Sequence, residues 1–187
     1  TILNTNGYLT GTNTDVSGFI RSLSALNFSP KNTTVALLGA GGSARAVLAG
    51  LADAGASRIL IHNRNAERAE RLVTEFSQHF PKTQLAAVSL QTVKESNLDL
   101  LVNTTTVGMK SDSSPLDLSQ CGIIKHVIDI IYSPAKTRLL REAEELGIPS
   151  VNGSGMLLSQ GCEAFTFWTG KTAPENVMRE QLLKLLE

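Results

Sequence analysis

Val35-Ala36-Leu37-Leu38-Gly39-Ala40-Gly41-Gly42-Ser43-Ala44-Arg45-Ala46 changes character twice in a short span. Its first four residues are the apolar run of a buried strand. Ala44, Val47, Leu48 and Leu51 then recur at helical spacing, with Gly55 as the stop. The glycines therefore occupy a strand-to-helix turn. Gly39, Gly41 and Ala44 fill the pattern G-x-G-x-x-G/A, in which the first glycine turns the chain and the second admits a pyrophosphate close to the backbone. The third small residue lets helix and strand pack. Along Gly39, Ala40, Gly41, Gly42 and Ser43 the free N–H groups and the positive end of the helix dipole would face phosphate oxygens. A tight turn also needs glycine for purely steric reasons, so the flanking strand and helix carry the phosphate reading.

Downstream, Arg58-Ile59-Leu60-Ile61-His62 is a second short strand ending on Asn63-Arg64. In dinucleotide-binding units this position selects the cofactor: an acidic residue there binds the ribose hydroxyls of NAD and repels the extra phosphate of NADP. Here Asn63 and Arg64 stand in its place, with Arg68 one helical turn on. Two guanidinium groups at i and i+4 on one helix face can converge on a phosphate, so NADP(H) is the expected cofactor. Away from the glycine turn, Arg64, Arg68 and Arg71 beside Glu67 and Glu70 would read as an ordinary solvated helix face.

Elsewhere strands and helices alternate. Asn6-Gly7 between Thr1-Ile2-Leu3 and Tyr8-Leu9-Thr10 predicts a leading hairpin, and Val16, Phe19, Ile20, Leu23 and Leu26 predict a helix capped by Thr14. Asp15 in its first turn is, on position alone, a carboxylate favoured by the helix dipole. Ala69, Leu72, Val73, Phe76 and Phe80 mark a helix ended by Pro81, and Gln84 to Val88 a third strand. Leu98 to Val102 gives a fourth strand ending in Asn103-Thr104-Thr105, small polar residues where such sheets place a ligand. Lys110 to Leu118 reads as a polar surface loop. Lys125 to Tyr132 gives a fifth strand, Leu139 to Leu146 a helix stopped by Gly147, and Ile148 to Val151 a sixth strand. Asn152-Gly153-Ser154-Gly155 repeats the strand-glycine-helix theme ahead of two closing helices. The expected fold is α/β: a Rossmann-type doubly wound, mainly parallel six-stranded sheet with helices on both faces.

Composition narrows the function. The 187 residues carry 17 Lys+Arg against 17 Asp+Glu, which leaves no basic excess for a nucleic-acid or anionic-membrane partner. Membrane-spanning and signal-like runs are lacking, so a cytoplasmic protein is expected. Cys121 and Cys162 lie far apart without ligand-spaced neighbours, which favours reduced thiols and no metal site. A dinucleotide implies hydride transfer, and the partner proton needs a base. His62, His79 and His126 are badly placed for it, which leaves Asp15 and Tyr132.

Several segments together resemble the shikimate dehydrogenase family, specifically its NADP-binding half. They are Gly11-Thr12-Asn13-Thr14-Asp15, the glycine turn through Ala46, Asn63-Arg64 with Arg68, Asn103-Thr104-Thr105 through Gly108-Met109, Asp129-Ile130-Ile131-Tyr132-Ser133-Pro134 with Thr137, and Gly153-Ser154-Gly155-Met156-Leu157 with Gln160. The resemblance implies reversible NADPH-dependent reduction of 3-dehydroshikimate to shikimate in aromatic amino-acid biosynthesis. It implies Asp15 as the catalytic-site aspartate that binds substrate hydroxyls and partners a lysine, and Tyr132 and Gln160 as substrate contacts. Ile130, Gly153 and Met156 would line the nicotinamide, and Asn63, Arg64 and Arg68 would grip the 2′-phosphate. The family carries its lysine in an N-terminal substrate domain, and no lysine here sits in a matching context. The expectation is a single NADP-binding domain over 1–187, with 1–12 a hairpin left from that substrate domain, inactive alone and compatible with a homodimer. A quinate/shikimate dehydrogenase-like enzyme and a non-catalytic NADP-sensing module are the competing readings.

Overall fold

The computed structural model describes residues 1–186. The chain opens with an antiparallel hairpin, β1 (Ile2–Thr5) and β2 (Tyr8–Gly11), turned by Asn6 and Gly7 at φ of 53° and 90°. Next come α1 (Asp15–Ser22) and a 3-10 turn over Leu23–Leu26. Strands and helices then alternate: β3 (Thr34–Leu38), α2 (Gly42–Asp53), β4 (Arg58–His62), α3 (Ala66–Ser77), β5 (Gln84–Ala87), α4 (Leu90–Glu95) and β6 (Leu100–Asn103). After β7 (Val127–Asp129) follow α5 (Arg138–Glu145), β8 (Ser150–Asn152), α6 (Ser154–Thr169) and α7 (Glu175–Leu186).

Six strands form one sheet in the order β5-β4-β3-β6-β7-β8, every neighbouring pair parallel. Strands buried on both faces need unbroken apolar sequence, and Val35, Ala36, Leu37 and Leu38 supply it. Because side chains alternate along a strand, Val35, Leu37, Ile59, Ile61, Leu100 and Val102 share one face. There they meet Phe19 of α1, Val47, Leu48 and Leu51 of α2, Leu72 of α3 and Met156 of α6. Ala36, Leu38, Leu60, Leu101 and Val127 form the other face, under Val93 of α4 and Leu139, Leu140 and Ala143 of α5. The expected double cover of the sheet is thus present. No helix among the described residues is long and apolar enough to cross a membrane.

Local departures from the sequence reading have identifiable causes. The helix α4 is unforeseen because it is one polar turn and a half with a single fully buried residue, Val93, and its start is fixed by Ser89, whose hydroxyl accepts from Thr92 N at 3.0 Å. The predicted fifth strand stops at Asp129, where the next backbone N–H but one turns to that residue's own carboxylate. Thr14 holds the N-cap position of α1 without capping it; Asn13 Oδ1 accepts from Asp15 N at 2.8 Å instead. Arg64 lies in the turn ahead of the N-cap residue Asn65 and Arg68 in the first turn of α3, so the two flank a helix start and do not share a helix face.

Leu37 contacts both α2 and the central strands, so Leu37→Ala should cost about 3 kcal/mol, read as a lower urea midpoint with unchanged slope. Ile123, which is 63% exposed, should tolerate alanine within about 0.5 kcal/mol.

Candidate dinucleotide and substrate site

The strand order reverses at β3, whose neighbours are β4 and β6, and at such a reversal the loops leaving the carboxyl ends diverge to open a crevice. Gly39 begins the crevice floor. Its φ of 112° is a left-handed value, its N–H donates to His62 O at 2.7 Å, and a Cβ there would lie 2.5 Å from Thr104 Oγ1. Thr104 is itself fastened down, its hydroxyl donating to Leu38 O at 2.7 Å. Beyond Gly39 the surface opens: a Cβ on Gly41 or Gly42 would meet nothing within 4 Å, and the first turn of α2 holds no acidic residue. An exposed helix N-terminus with that clearance fits a pyrophosphate.

At the carboxyl end of β4, Asn63 Nδ2 donates to Asn65 O at 2.8 Å, and Asn65 Oδ1 caps α3 by accepting from Arg68 N at 3.3 Å. Among the described residues, neither the Arg64 nor the Arg68 guanidinium has an ion-pair or hydrogen-bond partner. Arg45, by contrast, is spent on a bidentate pair with Glu75 and lies over the Phe76 ring, 5.2 Å from its centroid. That pairing raises the Arg45 pKa and lowers that of Glu75. Arg64 and Arg68, at the carboxyl end of β4, are thus left uncommitted, whereas Arg45, nearer the glycine turn, is not.

On the β6 and β7 side lies a cavity of about 580 Å³. Ser43, Thr104, Thr105, Ile130, Gly153 and Met156 line it together with Asp15, Tyr132 and Gln160. Gly39, Ala40, Gly41, Gly42, Asn63, Arg64 and Arg68 are not among its walls; they extend the crevice from the β3 turn toward β4. Asp15 arrives because α1 lies across α6, with Gly18 facing Gln160. Gln160 Nε2 then donates to Asp15 Oδ1 at 3.0 Å, which presents the carboxylate to the cavity in a fixed orientation. The backbones of β7 and α6 also close tightly here, since a Cβ on Gly153 would fall 1.9 Å from Ile130 O. Of the histidines, His62 Nδ1 meets Val88 O at 3.1 Å and His126 Nδ1 meets Asp99 O at 3.0 Å; none of the three lines the cavity.

Sequence reading missed part of the wall. Lys110 lines the cavity with Asp15, although its stretch reads as plain surface loop, and Thr106, Met109, Ile131, Ser133 and Leu157 contribute as well. It also left Asp129 without a task. That carboxylate is fully buried, and burial pushes its pKa up; hydrogen bonds from Thr137, Ile131 N and Asn103 act in the opposite direction.

An all-parallel doubly wound sheet with an open glycine turn at its reversal point, and free arginines past the second strand, defines a Rossmann-type dinucleotide-binding domain. Residues 22–107 match the family model described as shikimate / quinate 5-dehydrogenase, and residues 153–183 that of the shikimate 5'-dehydrogenase C-terminal domain. The chain belongs to the shikimate dehydrogenase family. It is 46% identical over 184 residues to shikimate dehydrogenase (NADP(+)) of Geobacter sulfurreducens, covering 95% of this chain and 64% of that protein. The enzyme of the same description from Bacillus cereus is 36% identical over 191 residues, covering 100% of this chain and 68% of the relative. The crystal structure of shikimate 5-dehydrogenase from Thermus thermophilus in complex with NADP(H) and shikimate superposes with a TM-score of 0.85 at 37% identity, covering 98% of this chain and 66% of that one. The chain thus spans just under two thirds of the Geobacter relative's length.

A raised folded pKa has a definite consequence for stability. The fold favours the protonated form of Asp129, so its contribution is full below the unfolded carboxylate value, about 3.9, and is lost as pH rises through the higher folded value. Asp129→Asn lacks this titration. The stability of the variant relative to the parent should therefore climb with pH across that window in urea titrations; a flat difference would show that folding leaves the carboxyl's pKa unchanged, and a falling one that folding lowers it.

Proposed function

We propose that this chain binds NADP(H) along the crevice and forms the nucleotide-binding part of a cytoplasmic enzyme that interconverts 3-dehydroshikimate and shikimate. The observation that carries the reading is the meeting of Asp15, Gln160 and Tyr132 in one cavity that Ser43, in the first turn of α2 directly after the glycines, also lines. A substrate-sized space is thereby joined to a phosphate-binding floor. The names of the relatives and the ligands of the Thermus structure support the same substrate and cofactor. Balanced charge and two free cysteines, Cys121 and Cys162, suit a reducing cytoplasm.

Each part of the crevice has its task. Backbone N–H groups over Gly39 to Ser43 bind the pyrophosphate, and Asn63, Arg64 and Arg68 hold the 2′-phosphate, the group that separates NADP from NAD. Thr104, Thr105, Ile130, Gly153 and Met156 enclose the nicotinamide end. When bound, the cofactor supplies or accepts the hydride. Asp15 accepts hydrogen bonds from substrate hydroxyls, and Gln160, whose amide holds Asp15 at 3.0 Å, contributes its remaining groups to the substrate. Tyr132, 41% exposed at the rim, contacts the substrate from the β7 side. Reduction of the carbonyl also takes up a proton, which a lysine beside Asp15 would deliver. Among the described residues Lys110 lines the same cavity but makes no ion pair with Asp15, so we assign the donor to a lysine of a substrate domain outside these 187 residues, with the hairpin over 1–12 as the link to it.

Titration with NADP and NAD tests the cofactor assignment. Arg64→Ala and Arg68→Ala should each weaken NADP by about tenfold, the worth of one charge-assisted hydrogen bond, while NAD changes by less than about twofold. Equal loss for both cofactors would remove the phosphate role. The purified 187-residue chain, supplied with shikimate and NADP, should form little NADPH; brisk turnover would show that the proton donor lies within it.

A further inference from the structure

Asn103 and Asp129 are neighbours in register at the carboxyl ends of β6 and β7, both fully buried, and neither is used in the binding scheme above. Their hydrogen bonds form one connected set. Asp129 Oδ1 accepts from Asn103 Nδ2 at 3.0 Å and from Ile131 N at 3.1 Å, and Asp129 Oδ2 accepts from Thr137 Oγ1 at 2.6 Å. Asn103 Oδ1 accepts from Thr105 N at 3.0 Å and Thr105 Oγ1 at 2.7 Å, and its amide donates to Val107 O at 3.3 Å. Thr105 Oγ1 in turn accepts from Val107 N at 3.1 Å.

The set reaches two loops at once. The loop after β6 brings Thr104, Thr105 and Thr106 to the cavity, and the one after β7 brings Ile131, Tyr132 and Ser133. The β6 loop is tied to Asn103 and the β7 loop to Asp129, and the Asn103–Asp129 hydrogen bond couples the two. Among the described residues Asp129 has no cation against it, only neutral donors, and burial raises its pKa; an apolar pair of similar size would fill the position at lower desolvation cost. Apolar packing would not fix loop register, because it lacks direction. Three donors converging on one carboxylate do fix it. The adenosine end of the crevice, at Asn63, Arg64 and Arg68, makes no bond to this set.

We propose that Asn103, Asp129 and Thr137 are positioning residues for the nicotinamide end of the dinucleotide: they set the gap between the two loops through which that ring enters, and they leave the adenosine end alone. This rests on the dinucleotide reading given above, and the test separates the two. The 187-residue chain is titrated with NADP and with 2′,5′-ADP, which keeps the adenosine and its 2′-phosphate but lacks the nicotinamide half. The parent should bind NADP more tightly. Thr137→Val, which keeps the shape and deletes the donor, should weaken NADP roughly fivefold toward the 2′,5′-ADP value, with 2′,5′-ADP itself changed by less than about twofold. Thr137→Ser should restore NADP binding. Asn103→Ala makes an independent cut with the same expected pattern and serves if the valine variant does not fold. Loss of both ligands in parallel, no loss of NADP, failure of serine to rescue, or a parent that binds the two ligands equally would each overturn the positioning role. A parent that binds neither ligand would overturn the dinucleotide reading itself.

Discussion

Everything at the carboxyl edge of the sheet depends on a steric constraint at Gly39. The chain must leave β3 with φ at 112° and pass so close to Thr104 that no side chain fits between them. Because β3 and β6 are adjacent and parallel, the departing turn and the Thr104 loop have to share the same space, and only a residue without Cβ permits it. That contact sets α2 down with its N-terminus uncovered. It also fixes the floor against which the rest of the crevice is measured.

Around this floor polar groups are treated in two opposite ways. Inside the sheet's edge they are saturated: among the described residues no buried side-chain nitrogen or oxygen lacks a partner, and Asp129 alone accepts three hydrogen bonds. At the crevice mouth they are left open, with Arg64, Arg68 and the α2 N–H groups facing solvent. A binding site for a multiply charged ligand needs that division. Saturated groups hold the walls still, and unsaturated ones keep their hydrogen-bonding capacity for the ligand.

Legibility followed the strength of local patterns. Uninterrupted apolar runs made β3, β4 and β6 readable, and helical spacing gave α2 and α3. The short α4 escaped because one buried residue makes no period. Of the cavity residues from Asp15 to Gln160, Ile130, Gly153, Met156 and Gln160 are legible only through the family resemblance, whereas Asn63, Arg64 and Arg68 outside it are legible from their position after the second strand. Lys110 escaped since nothing in a polar loop marks which of its residues turns inward. Asp129 was visible only as a letter in a motif, because hydrogen bonds to residues 26 positions back and 8 positions on leave no trace in composition or period.

By itself the sequence determined the alternation of strand and helix, the glycine turn and the basic residues after the second strand, since each is a property of neighbouring residues and local backbone preference. Tertiary structure decided what stands opposite what. Asp15 and Gln160 are separated by 145 positions, and only the crossing of α1 over α6 sets them 3.0 Å apart. Packing of apolar faces, which acts between segments without regard to their distance along the chain, is the physical reason that such a pair could not be read from the order of residues alone.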